Sequence, residues 1–356
     1  MSYELRYGLY HFKNTLFRFC LMILYSIIVV NADIHSEYKV YNLGEDAATT
    51  HSFSLTMFAV NILILGFLVA ILEFAQFKNR RNLDTWYSLP LDRWKIGVIH
   101  FINGAIQLFA AHTISFIWGY IVVAKYIPML SLDTGAFFKM YLVVFAIGLL
   151  FYGMVTFPFM VANNTFDGVV FAAMYIILPY VFNSFLFDGL LRYTGFSKVT
   201  DSSYSGGLIS VVSGLCDRYS LLFSFKLKKY SEDIVLLKTD DIVWIVFWIF
   251  AGIALTVLGI LFFNQKQAEK IGGISDSILG YKLLIPLIMF MLVLSTGGEP
   301  IIGILYGIVT LILYVVFRRG IKLRIPDIVV IVLVTILANI PVDYVWELSR
   351  IIGRKP

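Results

Sequence analysis

Charge is scarce in this sequence. Only 14% of the 356 residues are Asp, Glu, Lys or Arg, 59% are hydrophobic, and the mean hydropathy is +0.83. A soluble domain is about a quarter charged and about half apolar, so this balance excludes an ordinary globular protein and indicates a polytopic membrane chain. Cysteine is scarcer still: Cys20 and Cys216 are the only two, too few and too far apart for a disulfide framework or a thiolate metal site. The formal net charge of +5 is too small to indicate a nucleic-acid partner and is read as a signal of topology. Aromatic side chains, at 16%, suit lipid-facing helices and interfacial belts, or a path for an amphipathic solute.

Long apolar runs fill what remains. A spanning helix needs about 20 predominantly apolar residues. Candidate spans are 16–31, 53–73, 96–124, 140–161, 168–187 and 242–263, followed by three shorter runs at 283–296, 301–317 and 326–342. Basic residues before Leu16 and "VNAD" after Val30 loosely resemble a signal peptide, but the run is read as a retained first span. Lysine and arginine in the short loops set the orientation. With the N-terminus in the cytoplasm, Arg6, Lys13, Lys78, Arg80, Arg81, Arg93, Lys95, Lys266, Lys270, Lys282, Arg318, Arg319, Lys322 and Arg324 lie inside. The outer short loops then hold only Lys39, Lys125 and Lys139. Arg350, Arg354 and Lys355 run against the rule, so 326–342 either crosses or dips in and returns, and crossing is preferred. The one large loop, 188–240, lies outside and carries the apolar stretch "GGLISVVSGLCDRYSLLFSF", suited to lying at the membrane surface.

Catalytic and coupling chemistry is hard to find. His112 and His100, both in the third span, are twelve residues apart and point in different directions around a helix, so they do not form one site. His11, His35 and His51 are scattered, without an HExxH pattern or a histidine pair at i, i+4, and no metal site is expected. No pair of carboxylates sits at membrane depth. Glu73 falls at the cytoplasmic end of the second span and Glu299 in an outer turn, both read as cheap positions for a charge. Asp33, Glu37, Glu45 and Asp46 are read as a solvated outer face. "GGISDSILGYK" lacks the spacing of a phosphate-binding loop, so no catalytic residues are expected and any ATP must bind a separate subunit.

The most informative segment interrupts the second and third spans: "NRRNLDTWYSLPLDRWKIG", residues 79–97. Asn82 can cap a short helix with Asp84 in its first turn. Leu83, Trp86 and Tyr87, at i, i+3 and i+4, share one face. Pro90 stops the helix and restricts Leu89. Asp92 can cap the following helix, whose first turn carries Arg93, Trp94 and Lys95. Such a helix, 82–91, either rests among the lipid headgroups or fills a groove on a cytoplasmic partner.

"RRNLDTWYSLPLDRWKI" resembles the segment after span two in ABC-2-type exporter permeases, where an L(D/E)xxxSLPxxR pattern forms the coupling helix that docks on the ATP-binding subunit. "FFNQKQAEKIGG" is similar to the RxxExxG stretch of the Firmicute members, among them permeases of acetoin-cluster and phenol-soluble-modulin export systems. Gln265–Lys266–Gln267 stand here where arginine-rich sequence is expected.

The resemblance implies an all-α membrane fold: a six-helix permease core over 1–265 and a C-terminal extension of two or three spans over 266–356. It implies coupling through Leu83, Asp84, Trp86, Tyr87, Leu89, Pro90 and Arg93, with a second, smaller contact at Asn164, Thr165 and Asp167 in "NNTFDG". Asn164 or Thr165 could cap span five there, with a plain tight turn as the alternative. It further implies two ATP-binding-cassette subunits carrying ATP and Mg, a second permease copy in a homodimer or a related chain in its place, and a bacterial plasma membrane. The substrate would be an amphipathic or hydrophobic peptide, with a lipid-like molecule as alternative. The competing reading is an ATP-independent transporter or channel, or a membrane-embedded lipid-modifying enzyme.

Overall fold

The computed structural model describes residues 3–36, 39–41, 50–52, 56–79, 89–126, 134–185, 239–266, 268–275, 277–296 and 300–338. In a bilayer each backbone amide must be satisfied within its own segment, so the apolar runs fold as helices. These are α1 (Tyr3–Ser36), α2 (Thr56–Phe74), α3 (Arg93–Tyr126), α4 (Thr134–Val161), α5 (Thr165–Ser184), α6 (Thr239–Asn264), α7 (Leu283–Thr296), α8 (Pro300–Arg318) and α9 (Ile325–Ala338). The first six contain stretches long and apolar enough to cross a membrane, and the last three are shorter apolar helices. The protein is thus a helical, multi-pass membrane protein by the length and composition of its helices. Two three-residue strands, β1 (Lys39–Tyr41) and β2 (Thr50–Ser52), pair antiparallel with Val40 opposite His51, a ribbon the sequence reading did not foresee.

Two compact units emerge: Met1–Met160 with Leu208–Ala268, and Val161–Gly207 with Glu269–Pro356. In the first, α1 packs along α3, and α2 lies against both. Gly104 lets α4 approach α3, because a Cβ there would overlap the Tyr152 hydroxyl and stand 2.8 Å from a Val69 methyl. The Tyr152 hydroxyl donates to the Phe101 carbonyl at 3.3 Å, so a polar tether closes the same contact. Small residues also seat α6 on α4: Gly252 faces Leu150, and Gly153 faces Thr256.

The second unit gathers α5, α7, α8 and α9 around Phe171, Met174, Tyr281, Leu284, Tyr314 and Phe317. The sequence boundary at 265 and this grouping differ at one element, α5. Its buried Phe171 and Met174 pack with the helices after 269. At the end of α8, Arg319 adopts a left-handed conformation (φ 51°). There Gly320 N–H bonds Val315 C=O and Arg319 N–H bonds Val316 C=O, a Schellman closure.

Candidate functional site: a buried glutamate hub

Glu73 is the penultimate residue of α2, and its side chain is fully buried. An ionised carboxylate removed from water costs several kcal/mol unless charge and hydrogen bonds replace the solvent. Both neighbouring helices supply them as stripes. On α1, Tyr7, His11, Thr15 and Arg18 fall at i, i+4, i+8 and i+11; on α3, His100, Asn103 and Gln107 fall at i, i+3 and i+7. Each set lies along one side of its helix.

The stripes converge on the two carboxylate oxygens. Oε1 accepts from the Arg18 guanidinium, from Asn103 Nδ2 at 2.9 Å and from Gln107 Nε2 at 3.0 Å. Oε2 accepts from His11 Nε2 at 2.8 Å and His100 Nδ1 at 2.9 Å. Gln107 also reaches Thr15 Oγ1 at 3.2 Å and accepts from Arg18 at 3.2 Å. With Nδ1–H committed to Glu73, the other His100 nitrogen is an acceptor, and the Tyr7 hydroxyl donates to it at 2.9 Å. Gln76 Nε2 donates to the Glu73 backbone carbonyl at 3.1 Å. Five donors therefore meet a carboxylate that has about four lone-pair sites. The Arg18 guanidinium supplies the counter-charge to the carboxylate.

Aromatic rings shield the cluster. His11 and His100 lie with ring centroids 4.0 Å apart, and Phe77 meets His100 edge-on at 4.7 Å. A groove of about 570 Å³, lined by Gly8, Leu9, Phe12, Ile99, Asn103 and Ile106, runs between α1 and α3. Asn103 stands in its wall, so one side chain separates the groove from Glu73.

No known family model, curated protein or solved structure matches the chain.

Reading Glu73 as a cheap charge at a span end is corrected: the carboxylate is enclosed, because α1 begins at Tyr3 and brings a full polar stripe over it. Arg18, inside the first apolar run, was not singled out at all. The usable signal was helical spacing, since His100, Asn103 and Gln107 form a stripe visible in the sequence. His112 stays apart from the hub, as expected. It stacks on Tyr141 at 5.2 Å, and neither ring nitrogen has a hydrogen-bond partner among the described residues.

Of the expected coupling residues, Leu83, Asp84, Trp86 and Tyr87 lie outside the described residues, as does 188–238 of the outer segment. Leu89 and Pro90 form a tight turn in which Leu91 N–H bonds the Leu89 carbonyl at 2.8 Å. α3 starts on Asp92, whose carbonyl accepts from Lys95 and Ile96. Lys95 Nζ lies 3.3 Å from both Glu4 and Asp92, and Arg93 donates to the Lys266 carbonyl. Lys266 Nζ in turn donates to the Met160 carbonyl at 3.2 Å. The base of α3 is thereby tied to α1 and to the segment after α6.

In the second unit Asn164 caps α5, its Oδ1 accepting from Asp167 N–H at 2.8 Å. The Asp167 carboxylate turns inward, accepting from Ser275 N–H at 3.0 Å and the Tyr281 hydroxyl at 3.1 Å, with Arg319 at 3.7 Å. Thr165 is half-buried beside it, whereas Phe166 between them is 60% exposed. Asp167 therefore holds the unit's own loops, and the side chain this loop offers outward is Phe166.

Proposed function

We propose that the chain is the membrane permease subunit of an ATP-driven exporter of the ABC-2 type. What supports this reading is the amino-acid sequence of the segment 79–97, whose pattern of a capping residue, aromatic residues at helical spacing and a closing proline leads directly into α3. Force applied at 82–91 would pass through the Leu89–Pro90 turn into a helix anchored at its base by Lys95–Glu4 and Arg93–Lys266. A few kilocalories from docking Leu83, Trp86 and Tyr87, roughly 1.5–3 kcal/mol each, are enough to transmit a rigid-body motion. The hub would carry that motion from α3 into α1 and α2.

In this scheme the N-terminus is cytoplasmic in a bacterial plasma membrane. Two copies of the chain pair with two ATP-binding subunits, and the substrate is an amphipathic or hydrophobic peptide. The test is to replace Trp86 and Tyr87 with alanine and measure complex formation and substrate-stimulated ATP hydrolysis with the ATP-binding partner present. Both are expected to fall. Survival of both removes the coupling role.

One observation favours a second reading, a transporter working without ATP. A buried ionisable cluster is the usual mark of an ion path through a membrane, and Glu73 with its histidines is such a cluster. Proteoliposomes holding the chain alone separate the two. Transport without ATP that is abolished by Glu73→Gln supports the second reading, and transport that needs the ATPase supports the first.

A further inference from the structure

We propose that His11, Glu73 and His100 form a binding site for a divalent transition-metal ion, which locks α1, α2 and α3 together. His11 Nε2, Glu73 Oε2 and His100 Nδ1 all lie within 4.8 Å of one another, and all three residues are buried. Three helices thus deliver two imidazoles and a carboxylate to one point, the donor set that zinc and the neighbouring divalent ions Fe, Co and Ni favour. In the metal-free hub the nitrogens stand 2.8 and 2.9 Å from Oε2. An ion about 2.0–2.2 Å from each donor needs these pairs to open by roughly half an ångström. The Gln76 amide lies 3.1 Å from the same His100 nitrogen, and turned over it offers its oxygen as a fourth ligand.

The Arg18 guanidinium already pairs with the Glu73 carboxylate, and binding requires that each imidazole present a lone pair to the ion. For His100 the proton leaves Nδ1 and resides on Nε2. The Tyr7 hydroxyl, 2.9 Å away, then changes from donor to acceptor and holds the ring in that tautomer. Arg18 is the competitor. It occupies Oε1, on the other side of the carboxylate, and its side chain is the most exposed of the charged groups at the hub, at 21%. It can swing outward as the ion arrives. Asn103 and Gln107 keep their bonds to Oε1 throughout.

The site makes opposite demands of two neighbours, and this supplies the test. The full chain is purified in lipid nanodiscs, stripped with chelator and titrated with Co(II) and Zn(II). Wild type is expected to take up one ion per chain, with a Co(II) ligand-field spectrum of nitrogen–oxygen type and a rise in thermal stability. His11→Gln and His100→Gln should each abolish the spectrum. Tyr7→Phe should weaken binding by roughly 10–100-fold. Arg18→Gln should tighten it by roughly tenfold, the effect of removing a neighbouring like charge. His112→Gln should bind as wild type does. If the histidine variants fail to fold, the Tyr7 and Arg18 variants decide, because misfolding does not produce changes of opposite sign. No stoichiometric uptake by wild type, an unaltered spectrum in either histidine variant, or unchanged affinity in both Tyr7→Phe and Arg18→Gln would overturn the site. None of these outcomes depends on what the protein transports.

Discussion

A single carboxylate organises the first unit, and its removal should be costly in a particular way. Glu73→Ala leaves the Arg18 guanidinium without its counter-charge and strands the donors of His11, His100, Asn103 and Gln107. Breaking a buried pair from one side costs about 3–5 kcal/mol. Combining it with Arg18→Leu should return part of that loss, and a double-mutant cycle on thermal unfolding in detergent reads the coupling directly. Gly104→Ala acts by a different route. The added methyl overlaps the Tyr152 hydroxyl and should destabilise by about 1–3 kcal/mol, seen in the same melt. Neither effect is legible from composition. Glu73 at the end of an apolar run reads as exposed unless α1 is known to begin at Tyr3. Gly104 reads as one helical glycine among several until Tyr152 is brought against it.

Helices were the most legible level of the structure, because a run of about 20 apolar residues admits few other folds in lipid. Each of the nine expected spans is matched by a helix. The sequence also marked where α3 starts, at Asp92, and where α5 is capped, at Asn164. What it missed were extensions beyond the apolar window. α1 runs about four turns ahead of Leu16, and those turns carry Tyr7, His11 and Thr15. Periodicity in the polar residues was the better signal there than hydropathy. The turn between α8 and α9 shows how local chemistry fixes an element end. Arg318 grips Asp327 with two bonds, 2.8 and 2.9 Å, while Asp327 also accepts from Arg324 N–H at 3.0 Å. Asp327→Ala removes both the cap and the fork, and should cost about 1–2 kcal/mol. It should show as faster hydrogen exchange over the first turn of α9 without a change in α1–α3.

Among the described residues, each unit holds a buried carboxylate with its own set of partners, Glu73 in the first and Asp167 in the second, and the two sets share no residue. Glu73 is bonded by side chains of α1 and α3, whereas Asp167 is bonded by Asn164, Ser275 and Tyr281. Perturbations of groups without common partners add to within about 0.3–0.5 kcal/mol. Glu73→Gln and Asp167→Asn should therefore be additive in the melt, and a larger deviation would mean that the two clusters communicate. Function sits at this scale and was the least legible. The proposed coupling rests on residues 79–97 meeting another chain, and a sequence reports a docking face only by its pattern.

The hub also has a history within each molecule, written in the order of its parts. α1 is made before α2 and α3 and brings Arg18, a positive charge whose hydrogen-bond partners Glu73 and Gln107 lie on those later helices. α2 follows and delivers the carboxylate that neutralises it. His100, Asn103 and Gln107 arrive only with α3, after the 79–92 connection has been made. Between those moments the nascent chain holds a paired but under-bonded charge at the membrane. Release of the third helix into lipid is the step that completes its solvation.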